Sequence, residues 1–196
     1  MFEFIDKIVY INLEDRVDRN TEILEVLKDI PSDKVLRFNA IRHHHGGVGC
    51  TQSHIAVLEF ALNFKWKNVM IVEDDAMWNK FEIGYPILEE LIKKDYDVIV
   101  LGGAFAKHNN FKLQSCQTTT AYIVNEKYYE TLINNYKEGL KGFLTTGMYH
   151  IFALDQYWKK LQPLHNWYVT IPSLMIQRAG YSDIEKRITN YNKYFE

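Results

Sequence analysis

The sequence predicts an α/β fold, a mostly parallel sheet flanked by helices in a single domain. Three observations predict it. Short apolar, β-branched runs alternate with stretches of helical periodicity through the first two-thirds of the chain. Strands linked through helices in this way pair in parallel, with helices covering the sheet. The length, 196 residues, suits one domain or two small ones, and no linker, composition shift or internal repeat divides it.

The elements follow in order. Residues 8–13 are a buried strand that ends in the polar cluster 12–19. Ile23, Leu24, Val26, Leu27 and Ile30 mark one face of a helix, and Pro31 closes it. Residues 35–40 read as a second short strand, and His43, His44 and His45 with Gly46 and Gly47 as a loop. Thr51 or Ser53 is the expected cap of a helix that buries Ile55, Val57, Leu58, Ala61 and Leu62. Residues 69–72 form a continuous apolar strand running into Glu73, Asp74 and Asp75. A helix is expected over 81–94, then a buried strand over 98–101 stopped by Gly102 and Gly103. Residues 118–124 read as a strand, 126–136 as a helix, 155–161 as a short helix and 168–171 as the last strand. The tail 182–194 is expected to be helical.

Composition narrows the function classes. Lys and Arg number 23 against 25 Asp and Glu, a formal net charge of −2, which sets aside a dedicated nucleic-acid binder. No apolar stretch approaches the ~20 residues of a membrane span. The N-terminal segment carries acidic residues where a signal peptide needs basic ones, so a soluble, cytoplasmic protein is expected. Cys50 and Cys116 fit no metal spacing and read as buried thiols of a reducing compartment. The unusual figure is the aromatic content of 13 Tyr, 11 Phe and 4 Trp, which serves either a large core or a sugar-binding surface. Trp158 and Trp167 carry the same two readings.

Ligands of open α/β sheets bind at the carboxyl ends of the strands. Three carboxylates at such an end, Glu73, Asp74 and Asp75, repel one another. A hard divalent cation, Mg²⁺ or Mn²⁺, would relieve the repulsion. Alternate residues point the same way, so Glu73 and Asp75 are the expected pair of metal ligands. The alternative is a solvated acidic turn.

Four segments resemble the family 25 glycosyltransferases, the lipooligosaccharide and procollagen galactosyltransferase-like enzymes. They are Val9-Tyr10-Ile11-Asn12-Leu13-Glu14-Asp15-Arg16-Val17-Asp18-Arg19, Gly49-Cys50-Thr51-Gln52-Ser53-His54, Val72-Glu73-Asp74-Asp75, and Gln177-Arg178-Ala179-Gly180-Tyr181-Ser182-Asp183-Ile184, in family order. The stretch 41–48 before the second motif is shorter than the family's, which implies a trimmed or different acceptor side. The resemblance implies a GT-A fold with a Rossmann-like nucleotide-sugar half (about 1–105), an acceptor half (about 106–184) and a tail (185–196). It also implies an inverting, metal-dependent transfer of galactose or glucose from a UDP-sugar to a glycan or glycoprotein acceptor. A non-catalytic nucleotide-sugar or glycan-binding module on the same fold and a metal-dependent phosphohydrolase are the alternatives.

Under that resemblance each candidate has a role and a plainer alternative. Arg16 and Arg19 pair with the donor diphosphate, or with Asp15 and Asp18 at the surface. Asn12 contacts uracil or ribose, or opens a turn. Ser53 and His54 reach the donor phosphates at a helix start, or serve as cap and structural histidine. Asp74 and Gln177 complete the donor-binding set. Asp155 is the expected general base, or a helix cap, and Asp183 is its rival, or a cap of the tail. His43, His44 and His45 form a loop near the substrates or bind a transition metal. Gly102 and Gly103 would let the backbone approach a sugar.

Overall fold

The computed structural model describes residues 2–195. Its main sheet has six strands: β1 (Lys7–Asn12), β2 (Val35–Asn39), β3 (Asn68–Glu73), β5 (Val98–Asn109), β6 (Lys112–Asn125) and β7 (Trp167–Val169), in the order β2-β1-β3-β6-β5-β7. β1 is parallel to β2 and β3, and β5 to β7; within this sheet β6 is the reversed strand, between β3 and β5. A second pairing joins β4 (Ala76–Trp78) to β8 (Met175–Gln177), antiparallel.

The central strands are apolar throughout because both faces are covered. Val9, Ile71, Val100, Tyr122 and Val124 point to one face, against the helices α2 (Gly46–Asn63) and α4 (Tyr129–Thr146). Ile8, Tyr10, Met70, Val72, Ile99 and Ile123 point to the other, against α1 (Val17–Val26) and α3 (Phe81–Leu91). The chain leaves β1 through α1 on one face, and it leaves β2 through α2 on the other. That change of face opens a crevice beyond the carboxyl end of β1, the usual ligand position in such sheets.

Several expected boundaries move. Ser53 and Thr51 are not caps: α2 begins at Gly46, and both hydroxyls donate back to carbonyls of its own first turn, at Gly49 (2.7 Å) and Gly47 (2.8 Å). Gly49 lets this turn seat against the preceding loop, since a Cβ there would lie 2.3 Å from the Ile41 carbonyl oxygen. Leu62 and Leu24, expected on buried faces, are exposed. The strand expected to stop at Gly102 continues to Asn109 and returns as β6 through the two-residue turn Asn110-Phe111, both at positive φ. Bulges interrupt the pairing around Gly102 and Ala104. Gly102 serves packing, because a Cβ there would meet the Met175 carbonyl oxygen at 2.6 Å.

Asp155 lies in the one-turn helix α6 (Leu154–Tyr157), which follows the equally short α5 (Tyr149–Phe152). The tail is not helical. β9 (Gly180–Ser182) and β10 (Arg187–Thr189) form an antiparallel hairpin, followed by a single 3-10 turn at Asn192–Tyr194. Trp158 and Trp167 are fully buried and meet edge to face at 5.2 Å, so neither offers a sugar-stacking surface.

Candidate active site at the carboxyl ends of β1 and β3

A cleft with a cavity volume of about 170 Å³ opens where β1 and β3 end. That is at least ten times the ~10–15 Å³ needed to hold one water molecule, so the cleft has room for an organic ligand. Its floor is Cys50, Ser53 and His54 of α2 with Glu73; Arg19, Asp74 and Asp75 form one side; Asp183, Ile184 and Lys186 of the C-terminal hairpin form the mouth.

The three carboxylates do not share one environment. Glu73 accepts from the Thr119 hydroxyl at 2.7 Å and the Gln177 amide at 3.2 Å, and His54 Nε2 lies 3.6 Å from its Oε1. Burial works against its charge, but His54, Thr119 and Gln177 outweigh burial and hold its carboxyl below the usual range. Asp74 turns the other way, accepting from Asn12 Nδ2 and Arg19 Nη1, each at 2.8 Å. Burial raises its pKa against the pull of Arg19.

Asp75 is the least satisfied. Its Oδ2 is 3.4 Å from Arg19, and its buried Oδ1 has no hydrogen-bond partner among the described residues. Burial, then the charge of Glu73, pushes its pKa up to about 7. Gln177 reaches Glu73 because β8 pairs with β4 in the register that sets Gln177 opposite Ala76, one residue past the triplet.

Asn12 is a buried junction and does not line the cleft. Besides Asp74 it donates to the Arg16 carbonyl at 3.1 Å, and its Oδ1 accepts from Arg37 Nη2 at 2.7 Å. Arg16 grips Asp18 with two hydrogen bonds, at 2.9 and 2.8 Å, and also pairs with Asp183. Arg19 lies beside the triplet, and its Nη2 donates to the Tyr181 carbonyl at 2.6 Å. The two arginines thus fasten the C-terminal hairpin over the cleft.

Ser53 accepts from the Ile41 amide at 2.8 Å and so ties the histidine loop to α2. His45 packs its ring on Phe143 at 4.7 Å, and His43 lines the cleft. Asp155 is not among the cleft residues. It accepts from the Thr118 amide at 3.1 Å, where Thr118 sits at φ 65°, an uncommon conformation for a β-branched residue. Burial raises the pKa of Asp155. Asp155 therefore holds the β6 bulge next to Thr119, the residue that donates to Glu73.

Thr119, Arg37, Tyr122 and Lys186 carry no site signature in the sequence. Tyr122 stacks on His54 with its hydroxyl 2.8 Å from His54 Nδ1, but within an apolar strand it carries no mark separating it from core aromatics. Arg37 lies on a half-exposed strand, where nothing in the sequence separates it from a surface cation, yet its side chain turns in to the buried Asn12.

No protein-family model matches the sequence, and no curated protein matches it. Solved structures do match. The chain is similar to a glycosyltransferase involved in the glycosylation of the major capsid of PBCV-1, with 10% identity, 87% of this chain and 92% of that one covered, and a TM-score of 0.58. It is also similar to A197 from STIV (11% identity, 94% and 99% covered, TM-score 0.49). A further match is mannose-1-phosphate geranyltransferase from Thermus thermophilus (8% identity, 88% and 73% covered, TM-score 0.48). The first of these shows that the chain has a glycosyltransferase-like fold. At such identities the likeness is one of fold, and residue roles rest on the geometry above.

Proposed function

We propose that this chain is a glycosyltransferase that moves a hexose, galactose or glucose, from a UDP-sugar to a hydroxyl group of a glycan or glycoprotein. The observation that carries the reading is an acidic cleft flanked by arginine, opening at the carboxyl ends of β1 and β3 in a glycosyltransferase-like fold. The four motifs that resemble family 25 meet there: Arg19, Ser53 and His54, the carboxylate triplet, and Gln177 with Asp183 all line it.

The residues fit a hard divalent cation, Mn²⁺ or Mg²⁺. Such ions take one or two protein carboxylates and complete their shell with phosphate oxygens and water. Asp75 would hold the ion, since its Oδ1 is a buried oxygen without a partner among the described residues. Glu73, on the same strand end, adds negative charge beside it. When bound, the ion neutralises a departing diphosphate. Arg19, beside the triplet, would pair with the same phosphate oxygens, and Arg42 and Lys186 also line the cleft. Asn12 and Arg16 act through others: Asn12 fixes Asp74, and Arg16 holds Asp183.

In a single displacement the acceptor oxygen attacks the anomeric carbon and the bond from that carbon to the diphosphate oxygen breaks. The acceptor proton passes to a base. Of the two candidate carboxylates, Asp183 lines the cleft and so takes that role. Asp155 takes the role of holding Thr118 in place.

Calorimetric titration with UDP tests the reading. Binding is expected to strengthen at least tenfold with Mn²⁺, and Asp75→Ala is expected to abolish that gain. UDP affinity that ignores both Mn²⁺ and Asp75→Ala would overturn it.

A further inference from the structure

Cys50 and His54 are four residues apart on α2, which sets them on one face of the helix. That face meets the end of β3 at Glu73. One thiol sulfur, one imidazole nitrogen and one carboxylate oxygen of these residues lie within 4.8 Å of one another, and all three residues line the cleft. We propose that Cys50, His54 and Glu73 form a binding site for a borderline-soft divalent transition metal, of which Zn²⁺ is the type, with its fourth position facing the cleft. The site is separate from the hard-cation position at Asp75, and it stands whether or not a UDP-sugar is the donor.

Three observations support it. First, His54 is fully buried, and its Nε2 has no hydrogen-bond partner among the described residues, since Glu73 at 3.6 Å is beyond hydrogen-bond length. A buried polar atom left in this state is destabilising. A metal on Nε2 removes the deficit.

Second, the ring is already oriented from behind. Its Nδ1 lies 2.8 Å from the Tyr122 hydroxyl, which is itself 3.4 Å from that of Tyr136. With Nδ1 tied to the Tyr122 hydroxyl, Nε2 is the ring nitrogen left to face Glu73, and Tyr122 supplies the outer support that metal-bound histidines usually have.

Third, the donor chemistry is selective. Thiolate with imidazole favours zinc and later transition metals, whereas Mg²⁺ and Mn²⁺ favour oxygen. Metal bonds of ~2.0–2.3 Å put tetrahedral ligands roughly 3.3–3.8 Å apart, so the trio needs to close by on the order of 1 Å. Without metal the thiol stays protonated, because burial and the nearby carboxylates raise its pKa. Binding therefore releases the thiol proton to solvent.

The test is a titration of reduced, metal-stripped full-length protein with Co²⁺, followed by absorption spectroscopy. A thiolate-to-cobalt charge-transfer band saturating at one equivalent, and displaced by Zn²⁺, is the expected result. Cys50→Ser and Cys50→Ala should both lose the band, while Cys116→Ser keeps it. Tyr122→Phe should keep the band with affinity weakened about 10–100-fold, the usual effect of removing an outer-shell partner. Circular dichroism of each variant verifies folding, and either Cys50 variant suffices if the other is unfolded. No band in the wild-type protein, or a band that survives loss of the Cys50 thiol, would overturn the proposal.

Discussion

Glu73, Asp74 and Asp75 are consecutive, yet each meets a different set of donors. Glu73 is matched by Thr119, Gln177 and His54; Asp74 by Asn12 and Arg19; Asp75 by little besides a long contact to Arg19. The mismatch at Asp75 has a consequence for stability. Its folded pKa, about 7, lies above the ordinary aspartate range, so its ionised form disfavours the fold. That cost is fully present above about pH 7 and disappears below about pH 4. Asp75→Asn in the presence of a chelator should therefore melt higher than the wild type at about pH 8, with the gap closing as pH falls toward about 4. Thermal melts across that range check it, and an Asn variant that melts lower at every pH would contradict it. The triplet itself was legible in the sequence, because carboxylates directly after an apolar strand are conspicuous. Asn12 was not: its work depends on Arg37, which arrives from a neighbouring strand, and no local spacing announces such a partner.

The C-terminal hairpin, β9 and β10, is held over the cleft by two arginines. Arg16 pairs with Asp183 and Arg19 donates to the Tyr181 carbonyl, while beyond the hairpin Tyr194 stacks on Phe105 of β5 at 4.3 Å. Within the hairpin, the Lys186 amide donates to the Ser182 carbonyl at 2.8 Å. Removing one clasp should loosen the segment without unfolding the sheet, because partly exposed ion pairs contribute about 0.2–1 kcal/mol. Arg16→Ala is expected to speed amide exchange several-fold across residues 180–189 while β1 and β3 keep their protection. Equal exchange in both proteins would show that Arg16 is not a clasp. Strands of three residues are too short to show a period, which is why this tail reads as a one-sided helix in sequence. The β5–β6 hairpin is hidden in the sequence for a different reason. Its turn puts Phe111 at positive φ, where glycine or asparagine is the expected residue.

At the scale of the molecule, the sheet is a wall between two apolar layers, and much of the aromatic content is spent on them. Trp158, Trp167, Tyr122, Tyr129 and Tyr136 are among the largest side chains wholly buried. Tyr122 and Tyr136 back His54, and the other three fill the core. Trp158→Ala should cost about 3–5 kcal/mol in chemical denaturation, the usual penalty for emptying such a site; a loss under about 1 kcal/mol would mean the side chain is not core. Alternating strands and helices made the sheet readable in advance. The reversal of β6 was not readable, because pairing direction is decided by a turn and by bulges far from any motif. That reversal also sets a timetable. Val69, Met70, Ile71 and Val72 of β3 are fully enclosed in the finished protein, and β6, which covers one of their edges, is not translated until residues 112–125. A hairpin closes in about 1–10 μs, whereas the ribosome adds about 5–20 residues per second. For a matter of seconds the nascent chain therefore offers an apolar strand with one edge of backbone N–H and C=O groups unpaired, and chaperone occupancy should be greatest in that interval.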